Sequence, residues 1–316
     1  MGGEVVEKQP PAVDVVVVNW NAGSYLAACL QSVYENTALA TLGRVVVVDN
    51  GSADDSLDRA APWLRRPQSL LLRNEDNRGF AAACNEGARA GSAPFVLFLN
   101  PDARVGPGAI DRTVSFLRGP AGRTVGICGG RVVDRNGQPT IAGGPFPTLR
   151  LIVGQVSGLS RLLPRVFPSK RIEGDAATGP MDHVIGAYLL VRRAVFERLD
   201  GFDEAFFVYY EEVDLCLRAR RIGWSTYHLA DAEVEHVGNV STDQIRARRL
   251  AYSLTSRRRY ARKHWSRLDN VVLAIVTFAV ELPARLITES VRRRRLPTET
   301  LRGYVAFVAG RLSRAD

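Results

Sequence analysis

Two runs of consecutive valines, at residues 15–18 and 45–48, constrain the fold more than any other feature of this 316-residue chain. β-branched residues in unbroken succession favour extended backbone. A strand without polar alternation is buried on both faces, as in a parallel sheet covered by helices. Each run stops on polar residues: Asn19-Trp20-Asn21 after the first, Asp49-Asn50-Gly51-Ser52 after the second. Two further apolar runs do the same. Residues 69–72 lead into the polar stretch 73–79, and residues 94–99 into Asn100-Pro101-Asp102. Helical patterning fills the gaps, from Ser24 to about Glu35, from Asp54 to Ala60 and from Gly79 to Ala90. This alternation predicts an α/β fold: a Rossmann-like, mostly parallel sheet flanked by helices in right-handed βαβ units.

Beyond residue 118 the signals weaken. Residues 119–180 are rich in Gly and Pro and read as loops over the sheet edge plus an insertion, with a hairpin at Asp134-Arg135-Asn136-Gly137. Residues 184–191 predict another strand, Arg193 a short helix, and 211–222 a helix with Val213, Leu217 and Ile222 apolar. Residues 224–229 and 233–237 predict two terminal strands. With 46% hydrophobic residues, wholesale disorder is excluded. The four cysteines contain no CxxC pair, which points to reduced thiols in a cytoplasmic protein.

The charge is uneven. Residues 246–316 carry 17 Arg and Lys against 5 Asp and Glu, a net of +12, while the first 245 residues net −3. Arginine runs at 257–259 and 292–295 flank apolar stretches at 271–280 and 304–308. Glu281 and Pro283 end the longer stretch well short of the ~18 apolar residues a spanning helix needs. Short apolar segments bracketed by arginine suit helices lying on an anionic membrane surface. A solvated helical tail packed on the domain, or on a second copy in a homo-oligomer, fits the same composition. Nucleic acid fits less well, because Tyr252, Tyr260 and Trp265 are not interleaved as a stacking platform. The expected organisation is a disordered tail at 1–12, a catalytic or binding domain at 13–245 and a basic helical region at 246–316.

In open parallel sheets the ligand sits beyond the carboxyl ends of the strands. Asn, Asp and Gly make turns anywhere. Their occurrence at all four strand ends, together with the acidic pair Glu211-Glu212, points to a site. A dinucleotide fingerprint needs G-x-G-x-x-G, and the segment after the first strand has one glycine. The phosphate-binding G-x-x-x-x-G-K-[ST] is also absent. The site is nucleotide-like without suiting NAD or ATP.

The segments VVVVNWN (15–21), VVVVDNGSADDS (45–56), NEDNRGFAAACNEG (74–87), LFLNPDA (97–103) and GFDEAFFVYYEEVDLCLRARRIGW (201–224) resemble the family 2 inverting glycosyltransferases of GT-A fold, in the bacterial rhamnosyltransferase branch. The resemblance spans about residues 13–240 and leaves the tail outside. It implies a nucleotide-sugar donor, dTDP-L-rhamnose foremost, with a UDP-hexose or galactofuranose donor as the alternative. It also implies a polyprenyl-diphosphate-linked or polysaccharide acceptor, and a place on the cytoplasmic face of the membrane. Asn19, Asn21, Asp49 and Arg78 are the implied nucleotide contacts. Asp102 takes the second position of the family's Asp-x-Asp motif and is the implied ligand of a divalent cation, Mg2+ or Mn2+, with His236. Asn100 stands where the family has the first Asp, on metal, ribose or phosphate. Glu212 is the implied base, with Glu211 the second choice. Crowding of the two carboxylates would raise the base's pKa towards working pH. Gly186 and Asp214 fall on the acceptor side, and Asp214 also forms an i,i+4 pair with Arg218. A scaffold that binds nucleotide sugar without turnover is the non-enzymatic alternative.

Overall fold

A computed structural model of the chain describes residues 13–38, 41–167, 172–173, 176–238, 246–292 and 298–310. The expected tail at 1–12 and the boundary near 245 lie outside the described residues. β1 (Val13–Asn19), α1 (Ser24–Asn36), β2 (Leu42–Asn50), α2 (Ser56–Leu64), β3 (Ser69–Asn74), α3 (Phe80–Arg89) and β4 (Phe95–Leu99) follow the alternation expected from the sequence. They pair in parallel in the order β3-β2-β1-β4. Every residue of β1 is buried, because each face has its own core. Val13, Val15 and Val17 pack with Leu26, Cys29, Leu30 and Val33 of α1. Val16 and Val18 pack with Ala81, Ala83, Cys84 and Ala88 of α3.

The second half departs from the simple pattern. It comprises β5 (Ala103–Val105), α4 (Ala109–Arg118), β6 (Val125–Val133), β7 (Ile141–Gly144), α5 (Leu149–Ser157), α6 (Leu159–Leu162), β8 (Ile172–Glu173), β9 (Gly179–Met181), β10 (His183–Val184), β11 (Tyr188–Arg192), α7 (Arg193–Arg198), α8 (Glu211–Arg221) and β12 (Ser225–His236). The main sheet continues β4-β11-β6-β12-β5, with β11 antiparallel to both β4 and β6. A small sheet, β10-β7-β8, stands apart.

Three expectations change here. The stretch read as loops contains β6, a central nine-residue strand, besides α5 and α6. Its glycines hid it. A side chain at Gly129 would collide with Val184, and one at Gly130 with the carbonyl of Ala232, so glycine permits the close approach of neighbouring strands. The single strand expected at 184–191 is split, because β10 pairs with β7 while β11 pairs with β4 and β6. The two terminal strands are one, β12, interrupted by a bulge between Leu229 and Glu233. The hairpin expected at residues 134–137 is present: Asp134 N–H donates to the Gln138 carbonyl at 2.8 Å, and Gly137 has φ 73°.

The tail consists of α9 (Arg246–His264), α10 (Arg267–Val276), α11 (Leu282–Ile287) and α12 (Thr298–Ala309), with π-helical turns at Thr277–Glu281 and Thr288–Arg292. The expected stop at Glu281 and Pro283 does not occur. Arg267–Val291 is one helical run of 25 residues, whose most apolar 18-residue window has mean hydropathy 1.9 and is 22% buried. By length and composition it could cross a membrane. The π turn lies just before Pro283, where the ring would otherwise clash with the preceding turn. Glu281 is buried, and its carboxylate accepts from Arg257 at 2.5 Å and Arg285 at 2.8 Å. Neutralised in this way, it does not interrupt the apolar helix.

Asp14, the second residue of β1, holds the two halves of the domain together. Its carboxylate pairs with Arg193 at 2.8 Å and accepts from the backbone N–H groups of Arg44 and Ala93. Arg193 in turn donates to the carbonyls of Ala88 and Ala93. Removing one partner of a buried pair leaves the other charge uncompensated. Asp14→Ala is therefore expected to destabilise the protein by about 3–5 kcal/mol, read as a lower urea midpoint.

Candidate active site

The carboxyl ends of β1 and β2 are tied to the loop that follows β2. Asn19 is fully buried, and its Nδ2 donates to Asp49 Oδ1 at 2.7 Å, Ser52 Oγ at 3.0 Å and Ser56 Oγ at 2.9 Å. Asn21 adopts φ 50°, accepts from Ala53 N–H at 2.8 Å and donates its own N–H to Ser52 Oγ. The result is a built loop rather than a set of free side chains. Asn19 acts through Asp49 and the two serines, while exposed Asn21 sits at the rim. Buried Asn19 Oδ1 has no hydrogen-bond partner among the described residues.

Arg78 stands half exposed, 3.5 Å from Glu86. The leading N–H groups of α3 are already engaged: Gly79 donates to Asn77 Oδ1 at 3.0 Å, and Phe80 to the Phe207 carbonyl at 2.7 Å. An anion expected at this helix start would have to compete with them, while the Arg78 guanidinium stands half exposed beside it.

Asn100, Asp102 and His236 do come together. His236 Nε2 lies 3.3 Å from Asp102 Oδ1 and 3.3 Å from Asn100 Nδ2. The sheet enforces the meeting. β12 runs antiparallel to β5, with His236 opposite Ala103, and Val237 N–H donates to the Asp102 carbonyl. One carboxylate, one imidazole and one amide form a partial ligand set for a hard divalent cation, which takes further oxygens from diphosphate and water. No cluster of three His, Cys, Asp or Glu is found among the described residues. The residues therefore fit a cation that is completed by substrate, not one caged by protein.

The acidic pair opens α8 under strain. Tyr209 and Tyr210 are both left-handed, at φ 68° and 70°. That conformation costs a non-glycine residue about 1–3 kcal/mol and persists only where the surroundings impose it. The tail imposes it here. Phe207 stacks on Tyr252 at 4.8 Å, Ser256 Oγ donates to the Val208 carbonyl at 2.8 Å, and Tyr210 packs on Tyr260 at 5.5 Å. Beyond the turn, Glu211 and Glu212 each leave one buried carboxylate oxygen without a partner among the described residues. Burial and then the charge of Glu212 push Glu211 well above the ordinary carboxylate range. Burial pushes Glu212 up to about 7, against the lowering effect of backbone N–H groups at the helix start.

Asp214 is not on this surface. It is fully buried, with its carboxylate saturated by Arg218 at 2.6 Å, Lys263 at 2.8 Å and His264 at 2.7 Å. Burial raises its pKa, but the His264 hydrogen bond and the Arg218 and Lys263 charges outweigh it and bring the carboxyl down to about 2. The acceptor contact expected of Asp214 gives way to a structural role: it clamps α9 to α8. Lys263 and His264 lie some fifty residues away in the chain, in a segment that motif reading could not connect to the site. Gly186 lies near the start of α3, with Phe80 4.0 Å from where its side chain would begin. Next to it, the Ala187 carbonyl accepts from Asn100 N–H at 3.2 Å. The segment from Val184 to Ala187 thus runs from the packing surface of α8 to the end of β4.

The acid pair makes stability depend on pH in a defined direction. A carboxyl raised from its ordinary 4.5 to about 7 gives stability that is present below pH ~4.5 and lost as pH rises through ~7, a loss of ~3 kcal/mol. Glu212→Gln removes that loss. Thermal melts are expected to show the variant equal to wild type near pH ~4.5 and more stable near pH ~8.

Comparison with known proteins agrees with this geometry. The family model described as "Glycosyl transferase family 2" matches residues 14–200. An N-acetylglucosaminyl-diphospho-decaprenol L-rhamnosyltransferase of Mycobacterium tuberculosis is 32% identical over 254 residues, covering 75% of this chain and 80% of its own. The rhamnosyltransferase WbbL of Escherichia coli is 25% identical over 190 residues, covering 60% of this chain and 69% of its own. Among solved structures, the mannosyltransferase PcManGT of Pyrobaculum calidifontis, in complex with GDP-Man and Mn2+, superposes with TM-score 0.56 at 20% identity, covering 97% of this chain and 78% of the other. The chain belongs to the family 2 glycosyltransferases: it is a glycosyltransferase of GT-A fold, similar to bacterial rhamnosyltransferases.

Proposed function

We propose that the enzyme transfers L-rhamnose from dTDP-L-rhamnose to a lipid-linked acceptor, with inversion, at the cytoplasmic face of a membrane. The observation that carries the reaction type is the pair of adjacent carboxylates at the start of α8, each with one oxygen shut off from water, the Glu212 carboxyl being pushed up to about 7. The relatives named for L-rhamnosyl transfer, one of them to a decaprenol-linked sugar, support the donor and acceptor classes. Exposed Leu268, Val271, Ile275, Phe278, Val305 and Val308 on the tail helices, set among arginines, support a membrane surface.

In this reading Glu212 accepts the proton of the acceptor hydroxyl. The freed oxygen attacks the anomeric carbon, and the bond to the nucleoside diphosphate breaks on the opposite face. Glu211 stays protonated beside it and lets a single negative charge reside on Glu212. Asp49 and the Asn21 loop receive the nucleoside, and Asp102, His236 and Asn100 face the diphosphate. A divalent cation bound by those three supplies positive charge for the departing diphosphate.

Glu212→Gln is expected to lower kcat by about 10²–10⁴ with little change in donor KM. The wild-type kcat/KM is expected to rise with pH through about 7, because the base works only when deprotonated. Chelation should abolish transfer, and Mg2+ or Mn2+ should restore it. A panel of dTDP-rhamnose, UDP-hexoses and a galactofuranose donor tests the sugar. Binding of nucleotide sugar without product from any donor would replace the enzymatic reading by that of a binding scaffold.

A further inference from the structure

Three of the tail helices, α9, α10 and α12, enclose a groove that the reaction above does not use. Its volume is about 430 Å³, within the range of ligand sites, and its wall is mostly apolar: Leu254 of α9, Val271, Leu273 and Ala274 of α10, Phe278, and Phe307 and Val308 of α12. The rim is cationic. Arg257, Arg258 and Arg262 all border the groove, on one side of α9. Arg257 is committed to Glu281 and Thr277. No carboxylate among the described residues pairs with Arg258 or Arg262, and both are exposed.

A second cavity, of about 450 Å³, adjoins this groove. Leu254 and Arg257 line both. The second cavity extends to Ile152 and Val156 of α5 and to Tyr210, the residue that caps the catalytic helix. Its wall is more polar, with Gln155, Ser253, Glu281, Arg285, Thr288 and Glu289. An apolar slot with a cationic rim thus adjoins a polar chamber that reaches Tyr210, the residue just before Glu211 and Glu212. A molecule with a hydrocarbon chain, an anionic linker and a sugar combines the same three kinds of chemistry.

We propose that the groove between α9, α10 and α12 holds the hydrocarbon chain of the lipid-linked acceptor, with Arg258 and Arg262 receiving its diphosphate. The proposal rests on the reading of the enzyme as a transferase to a lipid-linked acceptor, and it adds where that acceptor is gripped. Arginine suits the role, since its fork of donors matches phosphate oxygens and it stays charged. The exposed side chains of Val271, Phe278 and Val308 border the groove, so a chain could slide in from an adjoining bilayer without crossing water.

The test uses the full-length enzyme and polyprenyl diphosphate in mixed micelles, titrated for binding without any sugar donor. Ala274 is small, exposed and on the groove wall, so Ala274→Trp fills the groove without disturbing a core. This variant is expected to weaken polyprenyl diphosphate binding at least about tenfold, the scale of a few displaced methylenes. It is also expected to raise KM for a long-chain acceptor far more than for a short-chain acceptor with the same diphosphate and sugar. The double variant Arg258→Gln, Arg262→Gln should erase the preference for polyprenyl diphosphate over polyprenyl alcohol. Wild-type binding by Ala274→Trp, or equal effects on both chain lengths, overturns the proposal. So does a change in oligomeric state, which would make the groove a contact between copies. Loss of vesicle binding in Ala274→Trp without acceptor present would likewise overturn it, as that assigns the groove to bulk lipid. Wild-type protein that binds polyprenyl diphosphate through the groove but transfers no sugar sinks the transferase reading and leaves the groove standing.

Discussion

Two adjacent carboxylates, each with one oxygen shut off from water at the first turn of one helix, are the constraint around which the rest of this molecule is arranged. Glu211 is buried and Glu212 half-buried, and one oxygen of each has no partner among the described residues. A protein left to maximise stability would wet them, pair them with cations or replace them. Instead, the nearby donors are directed elsewhere. Arg218, Lys263 and His264 all converge on Asp214, one turn along the same helix. Asp214 is thereby held ionised while the pair at the helix start keeps a proton. One helix carries carboxyls pushed in opposite directions, and the difference lies in which of them the tail reaches.

This arrangement makes α9 part of the catalytic domain in energetic terms, although the charge break in the sequence suggests an appendage. Its residues bracket the strained turn at Tyr209 and Tyr210 from Phe207 to Asp214. A left-handed pair of tyrosines would relax if nothing opposed it. The aromatics of the tail, whose spacing does not suit a stacking platform for nucleic acid, pack inward. Tyr260 is buried against Tyr210, His264 and Trp265, and Tyr252 is stacked on Phe207.

What could be read in the sequence follows from how local each cause is. The valine runs announce β1 and β2 because β-branched residues act on their own backbone, and the polar residues after them mark the strand ends where Asp49, Asn100 and Asp102 stand. The meeting of His236 with Asp102 came from a family resemblance, and the antiparallel pairing of β12 with β5 supplies its physical cause. β6 was illegible because its glycines are explained only by Val184 and Ala232, which lie far along the chain. The long tail helix was misjudged for a similar reason. Glu281 looks like a stop until Arg257, two dozen residues earlier, is seen to neutralise it. Asn19 was placed in contact with ligand, yet its burial makes it a brace for Asp49.

The substitution of Asn100 for a carboxylate bears on how the site handles charge. Asp102 and His236 stand 3.3 Å apart, so on the proposed reading the protein would offer a single carboxylate to a cation that also meets the charges of a diphosphate. A second carboxylate would hold the metal more firmly in the absence of donor, at the cost of repelling the donor's phosphates. A neutral amide shifts the balance, so that cation affinity depends on the nucleotide sugar being present. On the proposed reading metal and donor would bind as one unit, since Asp102, His236 and Asn100 offer a cation only a partial ligand set. In the proposed mechanism the acid pair Glu211 and Glu212 likewise shares one negative charge, because burial and mutual repulsion hold both carboxyls above the ordinary range.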